Sequence, residues 1–105
     1  MGDLPDAYEA FQKQHTPLWQ AFEKLGETAA ASGPLDLKTR ELIKLGMAAA
    51  YGSVSAVKSH THRALEAGVS VEEIEHAILL GITTLGFPSM MAALTWAKEA
   101  IQDHK

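Results

Sequence analysis

The stretch Glu41–Gly68, ELIKLGMAAAYGSVSAVKSHTHRALEAG, decides the fold. From Leu42 to Tyr51 only Lys44 is charged, and a helix apolar nearly all round reads as a buried helix. Gly52-Ser53 ends that helix and opens the next. In the second helix, about Val54 to Ala67, the residues Val54, Val57, Thr61, Ala64 and Leu65 fall on one core-facing stripe. Gly68 closes it in the usual left-handed position. Two helices joined by so short a connection pack as neighbours.

Outward from this pair the chain continues to read as helix. Asp36 is placed to cap the helix from Leu37 to about Tyr51, and Ser32-Gly33-Pro34 before it is a turn. Leu4, Tyr8 and Phe11, then Leu18, Trp19, Phe22 and Leu25, recur at helical spacing. Thr16-Pro17 interrupts them and reads as an N-cap followed by proline at the first helical position. Towards the C-terminus, Ser70-Val71-Glu72-Glu73 is a capping box opening a further helix. Gly86-Phe87-Pro88 breaks the chain before a last helix carrying Met90, Met91, Leu94, Trp96, Ala97 and Ile101. No segment alternates as a strand between hairpin turns. The expected fold is all-α, one domain over residues 1–105, with about five to six helices. Two helices are too uniformly apolar for so small a protein to cover, which predicts a homo-oligomer.

Composition narrows the function. The chain has 105 residues, 47% hydrophobic and 21% charged, as in an ordinary globular protein. A net charge of −4 gives no basic footprint for nucleic acid and no polybasic patch for a membrane surface. No apolar run reaches the ~18 residues that span a bilayer. The N-terminus lacks a signal core, so a cytoplasmic location is expected. There is no cysteine, which removes disulfides, thiolate metal sites and thiol catalysis.

The chemistry-bearing residues gather in the opening stretch. Ser53 stands at a helix N-terminus, where free N–H groups favour negative charge, though an N-cap is its simplest use. His60 lies two turns further on and borders the core stripe, with Ala56 one turn along on a similar side. Glu41 comes from the preceding helix. A carboxylate, an imidazole and amide donors in one pocket make a proton-transfer site. The plainer alternatives are a Glu41 paired with Lys38 or Lys44 on a solvated face, and a hydrogen-bonded His60 at the core edge. His62 groups with Lys58, Ser55 and Glu66 on the solvent side, about 200° from His60, so the two cannot ligate one metal from one helix. Glu72, Glu73, Glu75 and His76 read as a solvated acidic first turn rather than a metal site. Met90, Met91 and Trp96 read as packing.

These residues resemble the carboxymuconolactone decarboxylase / alkylhydroperoxidase D-like family. Its peroxidase branch carries Glu-x11-Cys-x2-Cys-x3-His. Counted from Glu41, the cysteine slots fall on Ser53 and Ala56 and the histidine on His60. The flanks agree: LDLKTRELIKLGMAAA resembles the family's leading helix, HRALEAGVSVEEIEHAILL its tail, and GFPSMMAALTWAKEAI its closing helix. The resemblance is strongest over residues 37–101.

It implies an all-helical fold assembled as trimers or as hexamers. It also implies Glu41 and His60 as the catalytic pair, with Ser53, Tyr51 and Ala56 lining a pocket. No cofactor and no metal are implied. With serine and alanine in the cysteine slots, no dithiol forms, and an alcohol cannot cycle through sulfenic acid and disulfide. The decarboxylase branch also lacks the cysteine pair, so the expected activity is a decarboxylase-like lyase on a small carboxylic acid or lactone. Arg40 and Arg63 are candidates for binding the substrate carboxylate by adjacency. The competing expectations are a non-catalytic oligomeric binding or scaffold protein, and an accessory to a redox partner.

Overall fold

A computed structural model of the chain describes residues 3–104. Among them the backbone forms six α-helices, one 3₁₀ turn and no strand. In order these are α1 (Asp3–Gln14), α2 (Thr16–Ala30), α3 (Leu37–Tyr51), α4 (Val54–Glu66), α5 (Val71–Leu79), the 3₁₀ turn (Leu80–Thr83) and α6 (Phe87–His104). The chain divides after Pro34 into two compact units.

The first unit is α1 and α2. Its apolar side chains form a small aromatic cluster, with Trp19 centred 6.1 Å from Phe11, 6.3 Å from Tyr8 and 5.6 Å from Phe22. The expected break falls where the sequence placed it, but the cap does not. His15 occupies the N-cap of α2 without a side-chain bond, and Thr16 is already helical. The Thr16 hydroxyl instead donates to the Gln12 carbonyl at 2.7 Å. Because α1 runs to within one residue of it, that hydroxyl finds a carbonyl one turn back before it finds an N–H ahead. No α2 residue is buried.

The second unit, Leu35 onward, holds the core. Leu45, Ala48 and Ala49 of α3, Val57 and Ala64 of α4, Val69, Ile74 and Ile78 of α5 and its approach, and Met90, Ala93, Ala97 and Ile101 of α6 form one buried cluster. Along α6 the buried positions Met90, Ala93, Ala97, Ala100 and Ile101 recur every three or four residues. Four of the five on that face are small or unbranched, which lets α4 and α6 approach closely. Thr61 is fully buried in α4, and its hydroxyl donates to the Val57 carbonyl at 2.7 Å. Every buried side-chain polar atom among the described residues has a partner.

The helix ends follow the sequence. Asp36 accepts from the Thr39 N–H at 2.9 Å, and Ser53 accepts from the Ala56 N–H at 3.2 Å. Gly52 and Gly68 take the left-handed conformation, with φ of 82° and 92°. Ser70 and Glu73 complete their capping box, with bonds of 3.0 and 2.9 Å. Two expectations about burial need correction. The apolar helix α3 is buried on one side only: Glu41, Leu45, Ala48 and Ala49 face inward, while Ile43, Met47 and Tyr51 are exposed. Helices α4, α5 and α6 pack against α3 from the core side, so apolar residues elsewhere on it have no cover within the second unit. Val54, assigned to the core stripe of α4, is also exposed, at the first position of the helix.

The capping box gives a pH-dependent test. The Ser70 backbone N–H, with the Ser70 hydroxyl and Lys38 adding to the effect, holds the Glu73 carboxyl below its ordinary 4.5. A depressed folded value stabilises above the unfolded one and is lost as pH falls through the lower folded one. The Tm gap between the chain and Glu73→Ala should therefore narrow between about pH 6 and about pH 3. A gap that widens on acidification contradicts this. Ser70→Ala should cost about 1 kcal/mol in urea unfolding.

Candidate functional site

The Gly52-Ser53 connection turns α3 back along α4. Glu41 stands on the same face of α3 as Leu45 and Ala48, at four- and seven-residue spacing. On α4, His60 lies next to the buried Thr61 and three residues after Val57. The two faces meet, and residues 19 apart in sequence touch. His60 Nδ1 and Glu41 Oε1 are 3.2 Å apart. Glu41 is only 7% exposed, and the His60 side chain 20%. The carboxylate therefore meets the imidazole and not Lys38 or Lys44, with which it forms no ion pair. An ionised carboxylate can only accept, so the contact suits the tautomer that carries its hydrogen on Nδ1 and leaves Nε2 open.

The remaining sequence candidates sort differently. Ser53 is half-buried and serves as the N-cap of α4, tied to the Ala56 N–H. Ala56 packs partly buried against the core. Val54 and Ser55 open the first turn of α4, so their N–H groups lack intrahelical acceptors. Tyr51 does not line a pocket within the single chain. It is 87% exposed, because it shares with Ile43 and Met47 the side of α3 turned away from the core. Arg40 is occupied elsewhere: its Nη1 donates to the Leu35 carbonyl at 2.6 Å, fastening the start of α3. Arg63 is exposed in the last turn of α4.

His62 was expected on a solvated face. It is half-buried instead, because α6 runs along that side of α4. There it meets His104 at 3.2 Å, and Lys58, one turn earlier, meets Glu99 at 3.1 Å. Sequence reasoning missed both partners. They lie 42 and 41 residues away, and no local pattern joins them. Only the alanine face of α6, legible as small residues at helical spacing, hinted at so close an approach.

Acidic residues of α5 form no metal site, and no group of three metal-ligating side chains exists among the described residues. Two surface depressions, of about 410 and 520 Å³, are lined by residues between Ala7 and Leu18, and neither includes Glu41 or His60. No described helix is long and apolar enough to cross a membrane.

Comparison with known proteins agrees with this architecture. The model of the carboxymuconolactone decarboxylase family matches residues 17–99. An apo carboxymuconolactone decarboxylase family protein from Legionella pneumophila superposes with a TM-score of 0.83 at 27% identity, over 97% of this chain and 90% of that one. An uncharacterized protein of Methanocaldococcus jannaschii is 26% identical over 98 residues, 93% of this chain and 92% of its own length. An uncharacterized protein of Haemophilus influenzae is 40% identical over 52 residues, 50% of this chain and 46% of its own.

The pair predicts a stability asymmetry. His60→Ala leaves the Glu41 carboxylate buried without its partner and should cost about 2–3 kcal/mol. Glu41→Gln keeps an oxygen to accept from Nδ1–H and should cost about 1 kcal/mol or less. Denaturant unfolding of the two variants measures both. Equal losses would mean that the contact contributes no more than packing.

Proposed function

The chain belongs to the carboxymuconolactone decarboxylase family, and on that footing we propose that Glu41 and His60 form the proton-transfer centre of a decarboxylase-like lyase. Its substrate is a small carboxylic acid or lactone. One observation carries the reading: the 3.2 Å contact of Glu41 Oε1 with His60 Nδ1, made between two helices by groups largely withdrawn from water. A carboxylate at Nδ1 fixes the tautomer and aim of the ring, which is what a general acid/base requires of its support.

The chemistry then follows in two steps. Loss of CO₂ breaks a carbon–carbon bond and leaves its electron pair as a dienolate-like carbanion. An imidazolium His60 gives its Nε2 proton to that carbon, a C–H bond forms, and the ring becomes neutral until solvent restores the proton. Glu41 is the positioning residue for this transfer. The Val54 and Ser55 N–H groups supply fixed donors for negative charge. Ser53 lies about 10 Å along the α4 axis from His60, so a substrate reaching both regions is a small elongated anion. Thiol-dependent peroxide reduction has no place in this scheme, because the slots that would hold the two thiols carry Ser53 and Ala56.

We also propose that the chain works as a homotrimer or homohexamer. Leu18, Phe22 and Leu25 of α2 are exposed in the single chain, as are Met47 and Tyr51 of α3, and Leu80, Ile82 and Phe87 near the 3₁₀ turn. So much large apolar surface on 105 residues suits burial against further copies. A neighbouring copy also provides the wall that Tyr51 lacks alone. The competing role is that of a non-catalytic binding or scaffold protein, and the assay below separates the two.

A decarboxylation screen over lactones and β-keto acids should find CO₂ release that His60→Ala lowers about 10²- to 10⁴-fold. Release unchanged by His60→Ala would sink the proposed role. Peroxide with added dithiol should give no turnover. Sedimentation velocity should give a trimer or a hexamer, and a monomer at micromolar concentration would contradict the assembly.

A further inference from the structure

The α4–α6 edge holds a second histidine pair that the Glu41–His60 chemistry does not use. His62 and His104 bring their Nδ1 atoms to 3.2 Å, with ring centroids 5.4 Å apart and planes inclined by 45°. Two neutral imidazoles can share a hydrogen at this distance. The same separation suits two ligands of one metal ion. With zinc–nitrogen bonds of about 2.0–2.1 Å, two imidazole nitrogens lie about 3.3 Å apart at a tetrahedral angle and about 2.9 Å apart at a right angle. The observed 3.2 Å falls between those limits.

We propose that His62 and His104 chelate a divalent transition-metal ion, which ties the last turn of α6 to α4. The sequence motif His60-Thr61-His62 cannot do this, because its two histidines point about 200° apart. The partner that completes the chelate comes from another helix. Imidazole donors select zinc, copper or nickel over magnesium or calcium. Two imidazoles supply half of a four-coordinate shell, which leaves two positions for exchangeable ligands. That makes the site open and exchangeable rather than a closed structural one. The nearby charges admit a cation. Lys58, one turn before His62, is matched by Glu99 at 3.1 Å. Glu66, one turn after His62, and Asp103, beside His104, are acidic, against the exposed Arg63.

Zinc chloride added to the untagged chain in a non-chelating buffer provides the test. At about ten times the Kd, Tm should rise by about 5 °C. His62→Gln and His104→Gln should each abolish most of that rise, and the double variant should lose no more than either alone, because a chelate needs both nitrogens. His76→Gln should keep it, and magnesium should give none. In the unmutated chain, zinc should perturb the imidazole nitrogens of His62 and His104 in NMR spectra. No rise in Tm, a rise kept in both single variants, or perturbation centred on His60 or His76 would overturn the proposal.

Discussion

The second unit depends on one short connection. Gly52, in a conformation that side chains with a Cβ adopt only with strain, stops α3, and Ser53 caps α4 at once. With no loop to spare, α4 must lie along α3. Leu45 and Val57 then bury completely between the helices. The same alignment sets Glu41 opposite His60. The contact is thus fixed by backbone geometry and apolar packing together, and not by electrostatic attraction finding its own partner. A buried carboxylate is costly unless it is hydrogen-bonded, so the imidazole is part of what makes this alignment tolerable.

A second consequence runs through α6. Ala93, Ala97 and Ala100 present a flat face, and α6 settles closely on α4 and α5. That closeness makes partners of residues on the flank of the interface. Lys58 reaches Glu99, and His62 reaches His104. One helix, α4, therefore carries two histidines with different surroundings: His60 against a carboxylate from α3, and His62 against a second imidazole from α6. The first arrangement orients one nitrogen and frees the other. The second points two equivalent nitrogens at each other.

Much of this was legible in the sequence, and the failures share a cause. Caps and closing glycines are local, so Asp36, Ser53, Ser70, Gly52 and Gly68 could be read directly. Thr16 was misread because a threonine before proline has two hydrogen-bonding options, and the nearness of α1 selected the backward one. The family and the all-helical fold followed from four blocks in order. Burial was harder. Helical periodicity shows that α3 is apolar but not how many neighbours cover it, so Met47 and Tyr51 were placed inside when a single chain leaves them out. His62 went wrong in the opposite sense, since nothing within Val54–Glu66 reveals that α6 lies on that side. The partnership of Glu41 with His60 was implied by spacing and resemblance. The choice between His60 and a surface lysine as its partner needed the three-dimensional packing.

The central proposal is that Glu41 holds His60 through Nδ1 and so leaves Nε2 free for proton transfer. Long-range ¹H–¹⁵N NMR of the imidazole reads this directly. Nδ1 of His60 should carry the hydrogen, and Glu41→Ala should shift the ring toward the Nε2–H form. A His60 already in the Nε2–H form in the unmutated chain would contradict the claim.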